Sequence, residues 1–439
     1  MVTEGIKIVK SNGELLEEHV IELINRVKKV DIVVGIPSYN NASTICNIVE
    51  NFGKGLEKYC PDFKCLIVDS DGHSKDGTAE LVKKCRIPKC IKKVATYYRG
   101  PSGKGSAFRT IFEIARRLNA KVCVVSDADT RSITPKWAHV LVDPVLYSGY
   151  GYVTPYYNRD KHDGTITNAL VYPTTRALYG LRIRQPIGGD FALSNGVLQV
   201  ITRKEYWKRY SYISKFGVDI WMTTTAINEG FRVCQTVLGT KVHDAKDPGK
   251  DLSSMFVQVV GTMFGLMRKY EFRWRNVVGS MQGTIIGDFK FFEVERVSVD
   301  FDDLMEKFYK GYEKYKNVWR TIFDRNTCLE FDEKVLKSFP KGKLVISIEL
   351  WAKIVYEFAC AYNFVKADER ELILESMLPL YFIRTASFIK EAELFSDEIA
   401  DAVVEGNAGV FERMKSYLIN RWDFYKNKGE KLSIKNKIL

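Results

Sequence analysis

The stretch KVCVVSDADTRS, residues 121–132, decides the fold. It begins with an apolar, β-branched run and then places two carboxylates, Asp127 and Asp129, directly after it. Apolar runs that end in polar residues are typical of parallel strands covered on both faces. Two earlier segments, DIVVGIP at 31–37 and KCLIVDSD at 64–71, follow the same pattern. The sequence therefore predicts a parallel sheet whose strands end in polar side chains.

Helical periodicity alternates with these strands. The segments ASTICNIVENF, GTAELVKKC and KGSAFRTIFEIARRLNA each have the spacing of an amphipathic helix. Strand–helix alternation predicts an α/β fold with a doubly wound, Rossmann-like sheet, in which ligands bind beyond the carboxyl ends of the strands. Asp69, Asp127 and Asp129 are expected at that edge.

The later part of the chain has a different character. After about residue 275 strand-like runs become scarce, and long segments such as LWAKIVYEFACAYNFV have helical spacing. We expect an N-terminal helical extension at 1–29, an α/β catalytic domain at 30–275 and a helical C-terminal domain at 276–439. An amphipathic helical domain is compatible with a homodimer.

Composition narrows the class of protein. The 439 residues are 46% hydrophobic and 27% charged, with a formal net charge of +12, which is typical of a globular protein that attracts anions. The basic residues are dispersed and no nucleic-acid module is recognisable, so we expect no nucleic-acid partner. The longest apolar-leaning run, 255–267, is too short to span a bilayer, and the N-terminus has no secretory pattern.

The cysteine content predicts a cellular location, and the spacing of the cysteines leaves the role of two pairs open. Nine cysteines without a signal peptide favour the reducing cytoplasm. Two C-x4-C pairs, Cys60/Cys65 and Cys85/Cys90, leave a metal or disulfide role open, although zinc sites usually have shorter spacing.

The polar strand ends indicate a chemistry. Alternation at the end of the strand is expected to point Asp127 and Asp129 to the same side, where they can share a hard divalent cation with substrate phosphates. The blocks GIPSYNNASTI and IVDSDGHSKDGT place Pro37, Tyr39 and Asp69 where they can line a nucleotide pocket. The Gly-rich loop RGPSGKGSA, with Lys104, suits an anion at a helix N-terminus.

In this order, the four elements resemble the nucleotide-sugar-binding half of GT-A glycosyltransferases. Four later blocks, at 149–167, 184–198, 216–233 and 239–252, look like those of retaining enzymes that make glucosyl- or mannosylglycerate. The blocks PSYNN and DSDGHSKDGT look more like glucosyl-3-phosphoglycerate synthases. The resemblance implies a GT-A catalytic domain that uses a nucleotide sugar, Mg²⁺ or Mn²⁺, and a small carboxylic acid acceptor.

The resemblance also implies a role for individual residues. Nucleotide contacts are expected from Pro37, Tyr39, Asp69, Lys104, Gly105, Asp127 and Ala128. The metal ligands would be Asp129 and His243, with Asp127, and the donor sugar would be bordered by Ile187, Gly188, Gly189 and Asp190. The acceptor would be held by Arg159, Asp163 and Thr167, and the catalytic groups would be Asp219 and Asp190. In the GGD block, Asp190 stands where the retaining relatives usually have Glu.

Alternatives remain at this stage. No second carboxylate is evident as a covalent nucleophile, so we expect same-face attack with retention of the anomeric configuration. An inverting transferase with Asp219 as general base is the first rival. A binding protein without activity, and a nucleotidyltransferase on a similar sheet, are the others.

Overall fold

The computed structural model describes residues 14–209, 212–243, 252–291, 294–337, 346–428 and 432–435. The predictions for residues 1–13 and for 244–251 within the block 239–252 lie outside the described residues. The strands are β1 Ile32–Ser38, β2 Cys65–Asp71, β3 Lys92–Tyr97, β4 Val122–Val125, β5 Tyr152–Asn158, β6 Leu181–Arg182, β7 Phe191–Ser194, β8 Val233–Thr240, β9 Met281–Gln282 and β10 Thr284–Ile286.

The first ten helices belong to or flank the sheet: α1 Glu18–Val27, α2 Ile45–Tyr59, α3 Thr78–Lys84, α4 Lys104–Arg117, α5 Lys136–Tyr147, α6 Tyr172–Tyr179, α7 Asn195–Ile201, α8 Lys204–Arg209, α9 Val218–Asn228 and α10 Ser253–Lys269. The remaining α-helices are α11 Glu271–Asn276, α12 Phe301–Ile322, α13 Arg325–Phe331, α14 Ile348–Phe364, α15 Arg370–Glu391, α16 Asp397–Arg413 and α17 Lys415–Lys428.

Eight strands form the main sheet, in the order β10-β8-β5-β7-β4-β1-β2-β3. Neighbouring strands are parallel except at β7, which is antiparallel to both β4 and β5. Hydrophobic cores lie on both faces of the sheet, one including Phe108 and Ile111 of α4 and the other including Ile48 and Phe52 of α2. This mixed, doubly wound sheet with helices on both faces is the predicted GT-A fold, and it is followed by the predicted helical region.

Asp127 and Asp129 do not lie on the end of the strand, where the sequence predicted them. Strand β4 ends at Val125, so Asp127 and Asp129 lie in the turn that follows and not on the strand. Strand alternation therefore does not govern where their side chains point. Both residues nevertheless face the same cavity.

Two elements connect the regions on either side of the expected domain boundary at residue 275. Strand β10 lies beyond this boundary, yet it pairs in parallel with β8 and forms the edge of the main sheet. Helix α10 lies before the boundary and packs against α14 and α15 of the helical region. Sequence periodicity places the boundary where helices become dominant. The packing of α10 against the later helices leaves no local signal in the sequence, so it could not be predicted.

A buried arginine joins the two regions. Arg176 of α6 is 6% exposed and lies 2.5 Å from Glu405 and 2.7 Å from Glu412, both on α16.

One described helical segment, Ala367–Glu391, is long and apolar enough to cross a bilayer, but 78% of its most apolar window is buried inside the protein. Its apolar surface is thus used within the helical core.

The cysteines pair in a way that the sequence did not indicate. Cys46 on α2 and Cys85 at the end of α3 form a disulfide, with their Cα atoms 5.4 Å apart. Cys60, Cys65 and Cys90 are free, so neither C-x4-C pair forms a disulfide. The bonded cysteines are 39 residues apart, and only the packing of α2 against α3 brings them together.

Candidate active site

A cavity of about 600 Å³ opens at the carboxyl-terminal edge of the main sheet. It gathers thirteen of the residues that the sequence singled out, from seven separate blocks of the chain. They are Pro37, Tyr39, Lys104, Asp127, Ala128, Asp129, Arg159, Asp163, Thr167, Ile187, Gly188, Asp219 and His243. Four others, Asp69, Gly105, Gly189 and Asp190, are not among the residues that line it.

Asp69 lies behind the cavity wall and is completely buried in β2. The Ser38 hydroxyl donates to its Oδ1 at 2.5 Å. Burial raises the pKa of Asp69 to about 7, although the Ser38 hydrogen bond acts in the opposite direction. The expected contact between this carboxylate and a nucleotide base is therefore not supported, because the side chain has no surface to offer.

Gly105 and Gly189, which were expected to contact the donor, each allow another part of the chain to pack closely against the backbone. A Cβ atom on Gly105 would lie 1.7 Å from the Ile213 carbonyl oxygen. Gly189 has a φ of +89°, and a Cβ there would lie 1.9 Å from an Asp127 carboxylate oxygen. Gly105 and Gly189 therefore allow close packing in this structure, and neither lines the cavity. Their contacts with the donor stay a prediction.

Lys104 begins helix α4 and connects two predicted site residues. Its Nζ lies 2.7 Å from Oδ1 of Asp127 and 3.0 Å from Oδ2 of Asp219. Burial acts to lower the pKa of Lys104, but the two carboxylates outweigh it and the pKa is raised. This lysine is thus a fixed positive charge at the mouth of the Gly-rich loop.

A second lysine, Lys241, follows β8 and was missed by the sequence analysis. Its Nζ lies 3.0 Å from Oδ2 of Asp127 and 3.0 Å from Oδ2 of Asp190. It also donates to the Gly188 carbonyl oxygen at 2.9 Å. Burial acts to raise the pKa of Asp127, but Lys104 and Lys241 together hold it well below its usual range. The only local signal was a lysine directly after a strand in the GTKVHD block.

Asp190 has a different position from the one expected for a catalytic or sugar-binding residue. It is completely buried, and its Oδ1 accepts from the Ser126 hydroxyl at 2.5 Å and from the Asp127 backbone N–H at 3.2 Å. Tyr157 also donates a hydrogen bond to its Oδ2. All of its hydrogen bonds go to the protein, so Asp190 positions the turn that carries Asp127 and does not face the substrate cavity.

The three predicted metal ligands, Asp127, Asp129 and His243, all line the cavity, but they contact different neighbouring side chains. Asp127 is held by the two lysines, and His243 lies 3.3 Å from Oδ2 of Asp163. In the part of the chain that the structure describes, no three His, Cys, Asp or Glu side chains are grouped closely enough to hold a metal. Asp129 and His243 both line the cavity, and one or two protein ligands completed by substrate phosphate is the usual way to hold Mg²⁺. The donor set therefore fits a metal that is held in part by the substrate, with Asp127 supporting the turn.

Two of the predicted acceptor residues, Arg159 and Asp163, form a charged pair in the lining of the cavity. Arg159 Nη1 lies 3.6 Å from Oδ2 of Asp163. Burial acts to raise the pKa of Asp163, but Arg159 and His243 together lower it well below its usual range. A carboxylate that stays ionised keeps the Arg159 guanidinium oriented along the cavity wall.

The cavity also has a wall that the sequence analysis did not anticipate. Leu252, Met255, Gln258 and Val259 line it, and three of them follow the i, i+3, i+7 spacing of a single helical face at the start of α10. The apolar run 255–267 gave no indication that one face of α10 borders the cavity.

A mixed, doubly wound sheet with a D-x-D turn, a Gly-rich loop and a lysine at the edge of one cavity defines the GT-A class of glycosyltransferases. Residues 33–202 match the model of Glycosyl transferase family 2. That segment covers β1 to α7 and includes the D-x-D turn, the Gly-rich loop and Arg159. The protein is a glycosyltransferase.

Among solved structures, the chain is similar to glucosyl-3-phosphoglycerate synthase from Mycobacterium tuberculosis. Its complex with Mn²⁺, UDP and glucosyl-3-phosphoglycerate is 20% identical, with a TM-score of 0.40, over 57% of this chain and 83% of that chain. Its complex with Mg²⁺ and UDP gives 19% identity, a TM-score of 0.40 and the same coverage. None of the curated proteins matches the chain.

Proposed function

We propose that the protein transfers glucose or mannose from a UDP- or GDP-linked donor to D-glycerate or a similar small hydroxy acid, with Mg²⁺ or Mn²⁺ and with retention of the anomeric configuration. The observation that carries this proposal is the single cavity that collects residues from seven sequence blocks. We place the reaction in the cytoplasm because seven of the nine cysteines are free thiols, although the Cys46–Cys85 disulfide is unusual in that compartment.

The donor half of the cavity contains an aromatic ring and a fixed charge. Tyr39 is 62% exposed, so its ring is available to stack on a nucleotide base beside Pro37. Lys104 lies at the N-terminus of the 14-residue helix α4, where backbone N–H groups and an ammonium favour a diphosphate. Asp129 and His243 would hold the metal, which when bound neutralises charge on the departing diphosphate.

The acceptor half contains Arg159, Asp163 and Thr167. A planar guanidinium suits a carboxylate because it can donate two parallel hydrogen bonds. Thr167 offers a hydroxyl for the acceptor's hydroxyl groups. Fixing the acceptor beside the donor makes the reaction effectively unimolecular.

The stereochemical course depends on which carboxylate is free to act. The carboxylates among the described lining residues are Asp127, Asp129, Asp163 and Asp219. Asp127 and Asp163 are engaged by cations, and Asp129 is assigned to the metal. Asp219 is also paired with Lys104 through its Oδ2, but its Oδ1 accepts no hydrogen bond from the described residues. We therefore assign Asp219 to orient the attacking hydroxyl in a same-face attack that the leaving diphosphate assists.

The inverting alternative is favoured by one observation. Oδ1 of Asp219 is buried and accepts no hydrogen bond from the described residues, while its Oδ2 is held by Lys104. Burial raises the pKa of Asp219, and Lys104 acts in the opposite direction. A carboxylate with one oxygen that accepts no hydrogen bond and with a raised pKa suits a general base.

A donor-by-acceptor panel tests the proposal. UDP- and GDP-linked glucose and mannose are combined with D-glycerate, 3-phosphoglycerate and glycerol, with Mg²⁺, with Mn²⁺ and with a chelator. We expect turnover with a carboxylate acceptor only when metal is present, and an α-linked product from an α-linked donor by NMR. A β-linked product would establish inversion, and turnover with glycerol alone would refute the hydroxy-acid acceptor. The variant Lys307→Met, on the surface helix α12, serves as the control preparation.

A further inference from the structure

The segment 159–164 lies between the cavity and the helical region. It follows β5, and four of its residues, Arg159, His162, Asp163 and Gly164, line the cavity. Between Arg159 and Asp163, Lys161 extends away from them to the turn between α15 and α16. The same short segment is therefore in contact with the cavity on one side and with distant helices on the other.

The Lys161 side chain is held at the end of α15. Its Nζ donates to the carbonyl oxygens of Ala392 at 2.7 Å, Phe395 at 2.8 Å and Glu393 at 3.2 Å. The Ala392 carbonyl caps the C-terminus of α15, at the negative end of the helix dipole, and the Glu393 and Phe395 carbonyls belong to the turn that follows. The Lys161 ammonium donates to all three carbonyl oxygens, and these hydrogen bonds fix its position.

The backbone of the segment is held at the start of α16. The Lys161 N–H donates to Oδ1 of Asp397 at 3.0 Å. Arg296 links the same carboxylate to the segment, with its Nη1 2.9 Å from Oδ1 of Asp397 and 3.1 Å from Oδ2 of Asp160. The Asp160 side chain is only 2% exposed, so this connection closes over a buried carboxylate.

These contacts fix a segment that would otherwise be a surface loop. Ordering the backbone of a segment costs conformational entropy, and an acceptor that had to order the segment itself would bind more weakly by that cost. The donor residues have other supports, since Lys104 is held by Asp127 and Asp219. The main effect of the α15–α16 turn is therefore expected at the acceptor.

We propose that Lys161 is a positioning residue, which through the α15–α16 turn holds Arg159 and Asp163 in the geometry that binds the acceptor. This inference rests on the proposed acceptor site. The helical region then has a defined part in acceptor binding without contacting the acceptor through these residues.

Lys161→Met tests the proposal, because methionine keeps most of the side-chain length and removes the ammonium. We expect the KM for the acceptor to rise roughly tenfold or more, with kcat at saturating acceptor and the dissociation constant for UDP changed less than about threefold. Asp397→Ala should give the same split, and the double variant should be no worse than about the stronger single one, since both act on one connection. A variant with lower thermal stability but unchanged kinetic constants would overturn the proposal.

A second measurement is independent of any acceptor. Hydrogen exchange of the backbone amides at 160–165 should accelerate in Lys161→Met, while exchange in β1 stays as in the wild type. Lys307→Met, which removes an i,i+4 pair with Asp303 on α12, is the matched control and should leave both regions unchanged. If exchange at 160–165 is unaltered, the positioning role is wrong. If exchange accelerates but no hydroxy acid is a substrate, the proposed function is wrong and the positioning role stands.

Discussion

The ammonium nitrogen of Lys241 lies 3.0 Å from Oδ2 of Asp190, in an ion pair that is almost sealed from solvent. The lysine side chain is 3% exposed and the aspartate side chain 0%. The Lys241 ammonium also forms an ion pair with Asp127. A single cation therefore connects the D-x-D turn to the GGD block, which precedes β7. Loss of this cation would leave the buried Asp190 without a cationic partner, whereas Asp127 would keep Lys104.

Lys241→Met should lower the free energy of unfolding by about 3–5 kcal/mol, because removal of one member of a buried pair leaves an uncompensated charge. Urea denaturation measures the loss. The double variant Lys241→Met/Asp190→Asn should recover part of it, since the stranded charge on Asp190 is removed as well.

The control for this prediction is Lys121→Met. Lys121 pairs with Asp31 at the same 3.0 Å distance, but its side chain is 51% exposed, so the expected loss is below about 1 kcal/mol. Equal losses in the two variants would show that burial of the Lys241 pair does not matter.

Asp129→Ala should remove the effect of Mn²⁺ on UDP binding. Titration calorimetry of the wild type should give tighter UDP binding with Mn²⁺ than with chelator, because the metal connects the protein to the diphosphate. In the variant both conditions should give the weaker value, and His243→Ala should behave alike. Asp143→Ala on α5 is the matched control. Retention of the full Mn²⁺ effect in both site variants would contradict the metal assignment.

The double variant Cys46→Ser/Cys85→Ser should lower the free energy of unfolding by about 4 kcal/mol, because the disulfide closes a long loop in the unfolded chain. The bonded cysteines are 39 residues apart. A reducing agent should shift the unfolding transition of the wild type by a similar amount and leave that of the variant unchanged. Cys60→Ser alone should remain sensitive to the reducing agent, since Cys60 is a free thiol.

Glu357 should make stability depend on pH. Burial raises its pKa from 4.5 to about 7, against hydrogen bonds from Tyr417, Thr327 and the Asp324 N–H and the charge of Arg421. A carboxyl that ionises less readily in the folded than in the unfolded chain contributes stability below its unfolded pKa, and this contribution is lost as the pH rises toward 7.

Glu357→Gln mimics the protonated side chain, so it should lose less stability than the wild type between pH 5 and pH 8. The expected difference is about 1–3 kcal/mol, and urea denaturation at both pH values measures it. Parallel losses in the two proteins would show that Glu357 does not carry this pH dependence.

Much of the fold and of the cavity could be predicted because the signals are local. Apolar runs with polar ends identified β1, β2 and β4 within a few residues of their observed bounds. Since the carboxyl ends of parallel strands meet at one edge of a sheet, the residues that follow them were expected together. The cavity does gather Asp127, Asp129 and His243.

Other features depend on contacts between segments that are distant in sequence. Asp69 and Asp190 look equivalent to the other strand-end acids, but both are completely buried. The roles of Lys241, of the α10 face and of the Cys46–Cys85 pair likewise follow from which elements pack together.

The sequence by itself determined the α/β class, the edge of the sheet where ligands bind and the residue types available there, because strand and helix periods and strand-end polarity are properties of short segments. The tertiary structure alone decided which of those side chains face the cavity and which are neutralised behind it. The physical reason is that burial and ion pairing depend on the elements packed around a side chain, and these come from distant parts of the chain.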